Sequence, residues 1–94
     1  MFVLRIEHTT NDYDRWKQLF DSDPVDRAGK GVRRHYVSRA VDEPSFVSIE
    51  LAFDTEEQAN ALLEAMRGVW SRMPGDVISA PSSRIFEVAE EQAY

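Results

Sequence analysis

The chain has 94 residues, enough for one domain spanning 1–94 and too few for a second core. Eleven Lys and Arg against seventeen Asp and Glu give a net charge of −6, which argues against nucleic acid or an anionic membrane surface as partner. Cysteine is absent, so a disulfide framework, a thiolate nucleophile and a zinc ribbon are excluded.

The opening MFVLRIEH carries charge too early for a signal peptide. No segment approaches the roughly 20 apolar residues of a membrane span, and a reducing cytoplasm is the expected compartment. A domain this small buries only about 60–65% of its unfolded surface, so a partner subunit would add substantially to its stability.

Phe2 to Thr9 alternates as a strand, with Phe2, Leu4, Ile6 and His8 on one face and Val3, Arg5, Glu7 and Thr9 on the other. Thr10-Asn11-Asp12 offers N-caps for a short helix, whose stripe is Tyr13, Trp16, Leu19 and Phe20. Asp23-Pro24 stops that helix, because a residue before proline disfavours the α region.

Gly31 to Phe53 reads as a hairpin turning at Asp42-Glu43-Pro44-Ser45. Closing the loop there pairs Val41 with Phe46. Val47, Ile49, Leu51 and Phe53 then share the core face with Ala40, Ser38, Tyr36 and Arg34. The other face holds Val37, Val41 and Phe46 among charges.

Asp54 followed by Glu57 has capping-box spacing. Ala59, Leu62, Leu63, Met66 and Trp70 carry a second helix to about Arg72, ended by Pro74-Gly75. Residues 76–82 read as a loop, and Ser83 to Val88 as a last strand.

The order strand, helix, strand, strand, helix, strand predicts a ferredoxin-like βαββαβ α+β fold: a four-stranded antiparallel sheet with both helices on one face. The bare second face, apolar at Val3, Val37, Val41 and Phe46, calls for a cover, and a second copy of the chain is the simplest one.

Tyr13-Asp14-Arg15-Trp16, Arg27 ahead of Gly31-Val32, and the alternating hairpin resemble the dimeric α+β barrel superfamily. The nearest members are its small antibiotic-biosynthesis-monooxygenase-like and cyclase-like proteins. The resemblance covers the whole chain, though its motifs are mainly structural. It implies two sheets packed face to face as a homodimer, with a small-molecule pocket between sheet and helices in each subunit. It also implies chemistry on aromatic or polyketide-like metabolites without a cofactor, by oxygenation, isomerisation or cyclisation. The monooxygenase branch places an Asn and a Trp beside the substrate. Here Asn11 stands roughly 140° around a helix from Trp16, and Asn60 roughly 80° from Trp70, so neither pair converges.

Within that pocket the candidate catalytic residues are His8, Arg34 and Tyr36, with Trp16 and Trp70 as substrate-binding walls. An imidazole beside a phenol and a guanidinium can take a proton from an acidic substrate and stabilise the anion. The plainer reading has His8 and Arg34 at strand ends in water while the aromatics pack. A charged set on the opposite face, Arg5, Glu7, His35, Arg39 and Glu50, lines a lumen between subunits or forms interfacial ion pairs.

No metal is expected, because the expected register puts His8 and His35 on opposite faces. Nor is a nucleotide cofactor: glycine spacing fits neither the phosphate loop nor the dinucleotide fingerprint, and no serine sits in a nucleophile elbow. Two functions remain in view. One is an enzyme or binding protein for a hydrophobic metabolite; the other is a non-catalytic dimeric module that binds a ligand or only assembles.

Overall fold

The computed structural model describes residues 1–94. It consists of β1 (Phe2–Thr9), α1 (Tyr13–Asp21), β2 (Arg34–Arg39), β3 (Phe46–Phe53), α2 (Glu56–Trp70) and β4 (Ser79–Glu87). The strands form one antiparallel sheet in the order β2-β3-β1-β4. This is the expected ferredoxin-like α+β arrangement. No helix is long and apolar enough to cross a membrane.

The central pair β1–β3 sets the frame. Leu4 faces Leu51, Ile6 faces Ile49 and His8 faces Val47, so the apolar alternation of the two strands meets on one face. Those residues, Phe53, and Ala59 and Leu62 of α2 are almost wholly buried. α2 starts at Thr55, whose hydroxyl accepts from the Gln58 N–H while the Gln58 amide oxygen accepts from the Thr55 N–H. The capping box is therefore shifted by one from Asp54–Glu57. Asp54 instead pairs with Arg33. Gly31, at φ 94°, is packed so tightly on the Gln58 side chain that a Cβ would collide with it, which ties the start of β2 to this cap.

The β2–β3 register differs from expectation by one residue. The Ala40 N–H donates to the Phe46 carbonyl (3.0 Å), Glu43 N–H to Ala40 (3.3 Å) and Phe46 N–H to Glu43 (2.9 Å). Two turns in succession leave an odd number of residues, Val41 to Ser45, between facing positions. A slip of one exchanges the faces of a strand completely. His35, Val37 and Arg39 consequently lie on the helix side, level with Leu51, Ile49 and Val47. Arg34, Tyr36 and Ser38 lie on the open side, level with Ala52, Glu50 and Ser48, and Val41 stands in the turn, fully exposed.

The last strand also begins earlier than expected. Ser79 pairs with Thr9, and Ser82 with Glu7, so Ala80 and Pro81 together oppose His8. This bulge puts Ala80 at φ 51°. Pro81 is tolerated because β4 is an edge strand.

The helices sit at different heights. α2 rests on small Ala59 and comes close to the sheet. No Cα of α1 comes within 8 Å of a Cα of another element, because Trp16 and Phe20 fill the space beneath it.

Register is directly testable. Val37→Asp should lower stability by about 1–3 kcal/mol by putting a charge beside Ile49, whereas Val41→Asp should change it by less than about 0.5 kcal/mol. Urea denaturation of both variants reads the difference, and the reverse order would restore the even-numbered loop.

Candidate functional site

Between α1, α2 and the sheet lies an apolar cleft. Trp16, Leu19 and Phe20 line it from α1, Met66, Val69 and Trp70 from α2, and Ile49 from the sheet floor. As it stands the space holds about 20 Å³, room for roughly one water molecule. The side chains that fill it are those that hold α1 off the sheet.

His8 adjoins this wall. Its ring centroid is 5.0 Å from that of Trp16 at an interplanar angle of 55°, and the residue is only 1% exposed. Trp16 in turn stacks on Phe20 at 5.3 Å, and Phe20 meets the His35 ring edge-on at 5.3 Å. Cations border the row: the Arg27 guanidinium lies 3.9 Å from the Phe20 centroid and that of Arg39 lies 4.0 Å from Tyr13. Arg27 is fixed there by donating to the Phe20 carbonyl at 2.7 Å.

The protonation of His8 follows from its partners. Nδ1 lies 3.1 Å from the Thr9 carbonyl, and a carbonyl can only accept, so Nδ1 carries the proton. Nε2 is buried with no hydrogen-bond partner, leaving its lone pair unused. Burial pushes the imidazole below the ordinary histidine range and outweighs the opposing Thr9 bond. The ring is thus a neutral proton acceptor. The bulge at Ala80–Pro81 lies opposite this residue and locally interrupts the ladder between β1 and β4.

The expected site residues divide between the two faces. His8, Trp16 and Trp70 belong to the helix side, with both tryptophans in the cleft and His8 behind Trp16. Arg34 and Tyr36 do not join them. They border a shallow depression of about 70 Å³ on the open face, with Val3, Glu50 and Ala52. The odd-numbered turn is the cause.

The expected charged set divides in the same way. Arg5 faces Glu50 at 3.6 Å on the open side, while His35 and Arg39 moved to the helix side. The shift puts His35 on the same face as His8, yet two strand spacings and four residues separate them, roughly 16 Å. No group of three His, Asp or Glu side chains is placed to hold a metal ion. Asn11 and Asn60 are both exposed and line no part of the cleft. Leu19, Phe20 and Met66 read from sequence only as core, although they share the helical stripes of Trp16 and Trp70.

No family model and no curated protein sequence matches the chain, but solved structures do. Two crystal structures of SnoaB, a cofactor-independent oxygenase from Streptomyces nogalater, superpose with TM-scores of 0.74 and 0.69 at 11% and 13% identity, each covering 96% of this chain and 94% of that one. A dimeric ferredoxin-like protein from an uncultured marine organism covers 100% of both chains, with a TM-score of 0.66 and 15% identity. MhuD, crystallised with two manganese protoporphyrin IX molecules per active site, has a TM-score of 0.67 at 14% identity, covering 98% of this chain and 99% of its own. At 11–15% identity the likeness is one of fold: this chain shares the ferredoxin-like α+β arrangement of these proteins.

A histidine whose pKa falls on folding destabilises the fold when the unfolded chain protonates. Stability should therefore be complete above about pH 6.5 and decline as pH falls through that value. His35, also shifted down, first by burial and then by Arg27 and Lys17, acts in the same direction. His8→Gln should flatten the decline between about pH 7 and 5. An unchanged slope in urea melts across that range would mean that folding leaves the His8 pKa where it is in the unfolded chain.

Proposed function

We propose that this protein is a homodimer that binds a flat hydrophobic metabolite, aromatic or polyketide-like, in the cleft between α1, α2 and the sheet. His8 takes a proton from it. The observation that carries this reading is the unpartnered Nε2 of a neutral imidazole buried against the tryptophan wall. A phenol or enol hydroxyl that met it would donate a hydrogen bond to Nε2, which would take the proton as negative charge develops on the substrate oxygen. The electron-rich anion left behind can react with dioxygen or close a ring, which supports oxygenase- or cyclase-like chemistry. The likeness in fold to SnoaB supports the oxygenase branch.

Entry requires Trp16 or Trp70 to turn aside, and α1 can tolerate this because only side chains connect it to the sheet. The closed cleft favours a second reading, a non-catalytic dimer in which these tryptophans simply pack.

Dimerisation rests on the open face. Tyr36 is 59% and Phe86 37% exposed there, beside Val3 and the Arg5–Glu50 pair. Arg34 and Tyr36 would serve that interface and not the cleft.

Sedimentation at micromolar concentration should give twice the chain mass for the wild type. Tyr36→Asp should give a folded monomer, since an unpaired charge buried at an interface costs several kcal/mol; a wild-type monomer would exclude this assembly.

Ligand binding is tested by thermal shift with a panel of phenolic and polyketide-like aromatics. A ligand at 100 times its dissociation constant should stabilise the wild type by about 2.7 kcal/mol, and His8→Ala should lose much of that shift while staying folded. Equal shifts in both proteins would remove His8 from the site. No shift with any compound would leave the packing reading.

A further inference from the structure

The cleft does not end at its tryptophans. Leu19, Pro24, Val69 and Met73 line it and also line an adjoining open groove of about 260 Å³ at the surface, where Arg15 and Arg72 stand. No acidic side chain lines this groove.

Most arginines of the chain have a partner. Arg5 faces Glu50, Arg27 faces Asp23, Arg33 faces Asp54, Arg34 faces Glu91 and Arg67 faces Glu64. Arg39 donates to the Pro44 carbonyl and covers the Tyr13 ring. Arg15, Arg72 and Arg84 form no ion pair, in a protein whose net charge is −6. Arg84 lies on the open face of the sheet, whereas Arg15 and Arg72 border the groove that adjoins the apolar cleft.

The helix ends nearby do not use these charges. The Ser22 hydroxyl donates to the Leu19 carbonyl at 2.6 Å, Arg27 to Phe20 at 2.7 Å and the Ser71 hydroxyl to Gly68 at 2.7 Å. Terminal carbonyls that would otherwise draw a cation are thereby satisfied.

We infer that the ligand is an anionic amphiphile, its flat apolar body in the cleft and its carboxylate, sulfonate or similar head between Arg15 and Arg72. This rests on the cleft-binding reading above and narrows it to acids. Neutral aromatics of the same shape bind more weakly. Guanidinium groups suit this role because they present paired N–H donors to a planar or tetrahedral oxyanion.

A matched pair of probes separates head from body. 1-Anilinonaphthalene-8-sulfonate and N-phenyl-1-naphthylamine share one ring system and differ by the sulfonate. The protein's two tryptophans both line the cleft, so energy transfer from tryptophan to either probe reports occupancy there.

In Arg15→Gln/Arg72→Gln the dissociation constant of the sulfonate probe should rise about tenfold or more, while that of the neutral probe stays within about twofold. Raising salt should weaken only the sulfonate probe. Arg67→Gln, on an exposed ion pair away from the groove, should change neither. If the double variant keeps its affinity for the sulfonate, or Arg67→Gln loses as much, the head-group inference fails while neutral-probe binding upholds the cleft. If neither probe quenches the tryptophans of the wild type, the cleft reading fails and the inference with it. Each single arginine variant gives the same comparison should the double variant not fold.

Discussion

Trp16 and Phe20, stacked at 5.3 Å beneath α1, act as the spacer on which the rest of the helix layer depends. α2 can lie on the sheet because Ala59 adds almost no height. α1 cannot, because an indole and a phenyl ring fill the gap below it. The layer is therefore solid at α2 and propped at α1. A helix held by a few large side chains, with no backbone in close approach, can be raised or repacked by moving those side chains alone. The same rings seal the cleft, adjoin His8 and receive the Arg27 guanidinium. One pair of aromatics thus sets both the height of α1 and the closure of the cleft.

His8 shows what this packing does to a titratable group. A histidine buried with both nitrogens bonded would be an ordinary core polar residue. Here one nitrogen is committed to the adjacent backbone, and the other is buried without a hydrogen-bond partner from the protein. An unsatisfied buried acceptor costs roughly 1–3 kcal/mol. The β4 bulge across from it adds a non-glycine residue at positive φ. Two locally unfavourable features thus face each other across one strand pair.

The open face is governed by other forces. Arg5 stands level with Glu50 on one side and with Arg84 on the other, and lies 4.9 Å from the Phe86 ring. Two arginines facing across adjacent strands repel unless something screens them. Half-exposed Tyr36, Phe86 and Val3 gain by losing water. A surface with both features is poorly suited to bulk solvent and well suited to a second sheet that brings apolar area and compensating charge.

The sequence by itself determined the element order, the inward face of β1 and β3, the helix stripes and the terminators. Each follows from local periodicity or from a proline or glycine that acts within a few residues. Phe2, Leu4, Ile6 and His8 alternate unambiguously, so His8 was legible as an inward residue, and Trp16 and Trp70 as its neighbours in the helix layer. The side taken by β2 was not legible. Alternation in Arg34 to Arg39 is weak, with polar residues on both faces, and the choice passed to the parity of the turn. Asp42-Glu43-Pro44-Ser45 marks a turn without stating whether one tight turn or two successive ones will form. Only the tertiary structure decided that, through the bonds that close Ala40 on Phe46, and one residue of difference carried Arg34 and Tyr36 away from His8 to the opposite side of the sheet.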